Sequence, residues 1–238
     1  MMEGSRAVLD ALAHGAPIEE LFISEGQPDR ERLEELARRS GIPVHVVGHQ
    51  VAKALSDAST PQGVVAVAHI PERAIEDVSG DLVVVLDGVG DPGNAGTIVR
   101  SAVAAGASGV VFSLGSVDPY GPKTVRAAAG ALFSTSVVVD VSLEDAVTSA
   151  RDAGLTVIGT NVAGTRPYDE VDLTVPFALV VGNEAWGVPH EHLDLMDETV
   201  TIPMAGDAES LNVATATSIV LFEALRQRRL SSGKKDQR

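Results

Sequence analysis

Two polar side chains, Ser210 and Asn212, stand where residues 201–222, TIPMAGDAESLNVATATSIVLF, pass from loop into an apolar helix. One of them would cap the helix by accepting a backbone N–H bond, a contribution of about 1 kcal/mol. The other is then surplus. Helix starts attract ligands through their unpaired N–H groups, so the surplus residue, after a loop with Gly206, marks a candidate binding site. A second concentration is residues 88–100, GVGDPGNAGTIVR, in which Gly88, Gly90 and Gly93 satisfy G-x-G-x-x-G between a strand and a helix. Taken literally, this spacing predicts a nicotinamide dinucleotide site and an oxidoreductase. The next strand, GVVFSLG, carries no acid to hold a ribose, which argues against it. Asn94 and Arg100 in the same segment read locally as a helix cap and a surface ion-pair residue. They share a cleft only if the first helical turn is irregular. The third concentration is residues 181–189, VGNEAWGVP, where Gly182 permits a sharp turn or close approach, and Glu184 and the lone Trp186 sit in a loop.

Composition removes other chemistries. The 238 residues contain no Cys, and the six His show no ligand spacing, so no metal is expected. The net charge of −15 argues against a protein that simply coats nucleic acid. A local basic groove is still open to it, because Arg100, Lys123 and Arg126 lie in segments that can converge. The tail 226–238, RQRRLSSGKKDQR, reads as a solvated, frayed end. No apolar run reaches membrane-span length and the N-terminus lacks a signal pattern, so a soluble cytoplasmic protein with no membrane partner is expected.

Positioning these residues requires two α/β units. Residues 1–70 read as a small module, with helices at 6–14, 29–40 and 50–56 and strands at 20–24, 44–47 and 63–68. The polar, Pro-containing stretch 71–81 is the candidate linker. Residues 82–238 alternate buried strand runs (82–87, 109–112, 136–140, 156–160, 177–181 and 199–202) with helices at 95–105, 122–132, 143–153, 190–196 and from about 211. Apolar runs joined by helices predict a parallel sheet covered on both faces, with ligands at the carboxyl ends of its strands.

NxGxxxR at Asn94, Gly96 and Arg100, GNExxGxP at residues 182–189, and IPMxGxxxSLNVxxAxxIxLxEAxRQ from Ile202 together resemble the three motifs of the SpoU (TrmH-like) branch of the SPOUT RNA methyltransferases. GPKTVRAAAGALF resembles a further family segment, with Ala128 where Ser is often found. TPQGVVAV closes an N-terminal part resembling the family's ribosomal-protein-like RNA-binding domain. The resemblance implies a deep trefoil knot in the parallel-sheet domain, S-adenosylmethionine as methyl donor, and a ribose 2′-hydroxyl of RNA as acceptor. Ribosomal RNA is favoured over tRNA, and a homodimer with sites near its interface is implied. Thr160, Gly182, Ile202, Met204 and Leu211 would cradle the donor, with the apolar Ile202 and Leu211 packing on the adenine. Arg100 would have the central catalytic role. Because a guanidinium keeps its proton to about pH 12 or above, gripping the target phosphate and orienting the 2′-hydroxyl suits it better than acting as a base. Asn94, Asn212 and Ser210 would hydrogen-bond around the reacting groups, Glu184 would hold Arg100 or the loop, and Lys123 and Arg126 would contact RNA. A non-catalytic RNA-binding relative is the remaining alternative.

Overall fold

A computed structural model of the chain describes residues 1–56 and 60–235. The N-terminal part comprises β1 (Met2–Glu3), α1 (Ser5–Ala13), β2 (Ile18–Ser24), α2 (Arg30–Arg39), β3 (Val44–Val47), α3 (His49–Ala54) and β4 (Val64–Ala68). Its sheet has the order β1-β4-β2-β3, with β2 parallel to β3 and antiparallel to β4. Val8, Leu12, Leu33 and Ala37 of the two longer helices share a core with Leu21 and Ile23 of β2. At two residues, β1 is too short to show an alternating pattern in the sequence.

The stretch read as a linker contains a 3-10 turn, Ile75–Asp77. Ile75 and the buried Val78 pack into the apolar layer of the second part. That part comprises β5 (Leu82–Asp87), α4 (Pro92–Ala105), β6 (Gly109–Ser113), α5 (Pro122–Ala128), β7 (Ser136–Val141), α6 (Leu143–Asp152), β8 (Thr156–Thr160), β9 (Arg166–Pro167), β10 (Phe177–Gly182), α7 (His190–Leu193), β11 (Glu198–Thr201) and α8 (Val213–Lys235). The sheet order is β7-β6-β5-β10-β8-β11-β9, and every pairing is parallel. Side chains alternate across β5: Leu82, Val84 and Leu86 meet α4 and α8 on one face, and Val83 and Val85 meet α6 on the other. Both faces being covered, β5 and β10 are buried along their whole length, as the continuous apolar runs predict.

Several helix ends differ from the periodic reading. α4 starts at Pro92 rather than at 95, because the Asp91 side chain accepts from Asn94 N at 2.8 Å and Pro is favourable in a first turn. Asn94 is therefore inside the helix and is not its cap. α5 stops at Ala128, not 132, because Ala129 (φ 47°) and Gly130 (φ 87°) turn left-handed, and 131–133 form a separate 3-10 turn. Gly130 there abuts Asp10 and Ala7 of α1, joining the two parts. α7 covers only four residues of the expected 190–196. The basic tail is not frayed as far as Lys235: Arg228 donates to the carbonyls of Leu173, Asp81 and Val175 and lies over the Phe177 ring. Its last residues, 236–238, lie outside the described residues. Among the described residues no helix is long and apolar enough to cross a membrane, and no cluster of three or more potential metal ligands occurs.

The α4–α5 contact depends on Gly96. A Cβ there would lie 2.4 Å from Ala127 Cβ and 2.7 and 2.8 Å from the backbone of Ala128 and Thr124. Gly96→Ala is expected to destabilise the fold by about 2 kcal/mol, overpacking outweighing the helix-propensity gain. Gly206→Ala, with nothing within 4 Å, is expected to be neutral. Thermal denaturation of both variants checks the contrast.

Candidate active site

Three chain segments meet at the carboxyl edge of the parallel sheet: the loop from β5 into α4, the loop after β10, and the approach to α8. The β10 loop doubles back on itself. Asn183 and Gly187 exchange backbone hydrogen bonds of 3.0 and 2.8 Å, and a Cβ at Gly182 would lie 2.1 Å from the Gly187–Val188 backbone. The closeness anticipated at Gly182 is therefore to its own loop. Asn183 Nδ2 donates to Gly88 O at 2.7 Å and ties this hairpin to the end of β5.

Glu184, at the hairpin's tip, gathers the neighbouring segments. Its Oε1 accepts from Asp91 N (3.0 Å) and Asn94 Nδ2 (2.9 Å), and its Oε2 from Gly90 N (3.1 Å). Asn94 Oδ1 then accepts from Asn212 Nδ2 at 2.8 Å, and Asn212 Oδ1 accepts from Ala214 N and Thr215 N. Asn212 is thus the cap of α8, which begins at Val213 rather than Leu211. Partial burial pushes the Glu184 carboxyl pKa up, but the hydrogen bonds from Asn94, Asp91 and Gly90 outweigh it and hold the group below its ordinary value.

This arrangement removes the dinucleotide reading of GVGDPG. The amides of Gly90 and Asp91 point at a carboxylate of the same chain instead of presenting themselves to a pyrophosphate.

Behind the network lies a cavity of about 330 Å³, within the range of small-molecule sites. Thr160, Gly182, Ile202, Met204 and Leu211 all line it, together with Ser210 and Glu184. Gly182 offers backbone, Ile202 and Leu211 offer apolar surface, and Thr160 and Ser210 offer hydroxyls. Such walls suit a flat heteroaromatic group with a polar tail, and hence the donor the resemblance implies. Ser210 makes no hydrogen bond among the described residues, which leaves its hydroxyl available to a ligand. Glu209 and Asn183 also line the cavity. Sequence reasoning passed over both, although Asn183 lies between two singled-out residues.

Arg100 does not line this cavity. α4 is regular from Pro92, so six residues of helix turn Arg100 roughly 120° away from Asn94. It is exposed and has no ion pair among the described residues, so Glu184 holds the loop and Asn94, not Arg100. Lys123 and Arg126 are exposed on α5, packed beside α4, and are likewise unpaired among the described residues. Ala128 is fully buried against Gly96 in that helix contact, where a larger residue would not fit.

The SpoU rRNA Methylase family model matches residues 81–222, and the model for RNA 2′-O ribose methyltransferase substrate binding matches residues 1–74. The 23S rRNA (guanosine(2553)-2′-O)-methyltransferase RlmP of Bacillus subtilis (strain 168) is 34% identical over 222 residues, spanning 93% of this chain and 86% of that protein. An S-adenosylmethionine-bound rRNA methyltransferase from Sinorhizobium meliloti superposes with a TM-score of 0.82 at 37% identity, covering 94% of this chain and 85% of its own. The SpoU methyltransferase AviRb from Streptomyces viridochromogenes, in complex with the same cofactor, gives 0.84 at 34% identity, covering 95% and 89%. With two of the three motifs lining one cavity, the first hydrogen-bonded to both through Asn94, and the family model matching more than half of its length, the chain belongs to the SpoU rRNA methylase family.

Proposed function

We propose that this chain transfers a methyl group from S-adenosylmethionine to a ribose 2′-hydroxyl of ribosomal RNA. The observation that carries the reading is the hydrogen-bond network in which Glu184 and Asn94 tie the β5–α4 loop to two sequence-distant segments that line one cavity at the carboxyl edge of the sheet. The cofactor supplies an electrophilic methyl group on a sulfonium, and in-line attack by the 2′-oxygen requires alignment and removal of the hydroxyl proton. Thr160, Gly182, Ile202, Met204 and Leu211 hold the donor. Ser210 hydrogen-bonds at the boundary between donor and acceptor. Asn94, Glu184 and Asn212 act by positioning, since their polar atoms already bind one another.

Arg100, with no protein partner to displace, grips the target phosphate bidentately and orients the 2′-hydroxyl, and the proton leaves through that phosphate or water. Lys123 and Arg126 extend the phosphate contact along α5. Residues 1–70 form the substrate-binding domain, 71–81 join it to the rest, and 82–238 form the catalytic domain. A homodimer with sites near its interface accounts for Arg100 lying outside its own chain's cavity. The exposed Phe222 and Leu230 of α8 are apolar residues for such an interface to cover. The trefoil knot is part of the same proposal. The loop at 161–165 lies across the end of β11, with bonds from Asn161 N to Val200 O and from Thr201 Oγ1 to Val162 O. The cytoplasm, where ribosomal RNA is, is the expected location.

Methyl transfer from labelled S-adenosylmethionine to 23S ribosomal RNA tests the activity, and RNA without incorporated label would refute it. Arg100→Lys is expected to lose on the order of 100-fold in kcat/KM, the loss of a bidentate charged contact, with donor affinity unchanged. A fully active lysine variant would exclude the phosphate-gripping role. For Glu184, a folded-state pKa below the unfolded value of about 4.3 means that its hold on the loops is complete above that pH. The hold is lost as pH falls through the lowered value. Donor affinity of the wild type, measured by calorimetry, is therefore expected to fall under acid, whereas Glu184→Gln binds more weakly and lacks this acid-dependent step.

A further inference from the structure

The N-terminal part contains a second cavity, of about 610 Å³, lined by Ser5, Arg6, Gln27, Asp29, Arg32 and Gln62, with Leu9 and Asp10 at its side. It is built where three segments are drawn together: Gln27 Nε2 donates to Ser5 Oγ at 2.5 Å and to Gln62 O at 3.0 Å. This links the start of α1, the loop before α2 and the turn before β4. The arginines of α2 differ according to whether they face this cavity. Of the four arginines in α2, Arg30, Arg38 and Arg39 are neutralised by Glu34 and Glu35. Arg32, which faces the cavity, has no ion pair among the described residues, and neither has Arg6. Asp10 and Asp29 also line it, and they pair with neither arginine. Asp29 precedes α2 without accepting a side-chain capping bond.

Two guanidinium groups and two carboxylates that share a cavity without meeting leave room for a ligand carrying both an anion and hydrogen-bond donors. A simple phosphate would suit the arginines and be repelled by the aspartates. We infer that this cavity binds one nucleotide of the RNA substrate, its phosphate on Arg6 and Arg32 and the donor groups of its sugar or base on Asp10 and Asp29. The inference rests on the RNA-methyltransferase reading. It gives the N-terminal part a discrete contact, connected to the catalytic part where Gly130 abuts α1 next to Asp10.

The test compares Arg6→Gln/Arg32→Gln with the control Arg38→Gln/Arg39→Gln, whose arginines are paired on the same helix. Affinity for 23S ribosomal RNA transcribed in vitro is measured over a salt series. The cavity variant is expected to bind roughly tenfold more weakly near 0.1 M salt, with the slope of log K against log[salt] reduced by about 0.7 to 0.9, the loss of one phosphate contact. Donor affinity and thermal stability are expected to stay at wild-type values, and inorganic phosphate to compete poorly. Asp10→Asn/Asp29→Asn is expected to weaken RNA binding without lowering the slope. An unchanged affinity and slope in the cavity variant, or an equal fall in the control, overturns the inference. If the wild type binds this RNA through Arg6 and Arg32 yet transfers no methyl group to it, the cavity assignment stands and the proposed activity fails.

Discussion

The Glu184 carboxylate holds together segments almost a hundred residues apart. Its two oxygens receive Gly90 N, Asp91 N and the Asn94 amide, and through Asn94 they reach Asn212 and the first turn of α8. Each of these loops runs off the carboxyl edge of a parallel sheet, where no ladder partner fixes its direction. An ionised acceptor suits the junction because all three of its partners are donors. A neutral amide would present two hydrogens of its own to that crowd. The cavity walls, from Gly182 to Leu211, inherit their spacing from this junction. Ser210 lies one residue before Leu211 and two before the cap, so locking Asn212 also limits where the Ser210 hydroxyl can be.

Charge is distributed to a comparable end. A chain of net charge −15 repels RNA at a distance, yet at physiological salt an exposed charge is screened beyond about 8 Å. What matters near a phosphate is then which cations have been neutralised in place. Arg30, Arg151, Arg166 and Arg226 pair with carboxylates, and Arg228 is taken up by backbone carbonyls. Those without such partners among the described residues include Arg6 on α1, Arg32 on α2, Arg100 on α4, and Lys123 and Arg126 on α5. α1 reaches α5 through the turn at Gly130, and α5 packs on α4 at Gly96. An acidic composition and a local surface for phosphate are therefore compatible.

Much of this was legible in the sequence because burial on both faces of a parallel sheet leaves uninterrupted runs such as LVVVLD and FALVV, and their order predicted the α/β class. The surplus of polar residues at the start of the last helix was also readable: Asn212 proves to be the cap and Ser210 the one left over. Helix ends were less legible where a single side chain or backbone angle decides them. Asp91 moved the start of α4 forward and so displaced Asn94 from its assumed capping role. Ala129 in the left-handed region ended α5, which no periodicity announces. The orientation of Arg100 depended on that same shift, because a regular first turn aims it away from the face of Asn94. Glu209 carried no signal at all, since one acid in a polar loop resembles any solvated residue until the fold turns it into a cavity.

Close backbone approach is what converts a sheet edge into a binding wall. At Gly182 the chain's own return strand occupies the space that a Cβ would need, so the end of β10 and the Gly187–Val188 segment lie together as a double layer of main chain. A side chain at position 182 is excluded, and the hydrogen-bonding groups of that main chain keep fixed directions. A purine edge can be read by such a wall without a dedicated polar side chain. In the proposed site the side chains that face the cavity then have other work, Ile202 and Leu211 packing on the donor and Ser210 at its boundary with the acceptor.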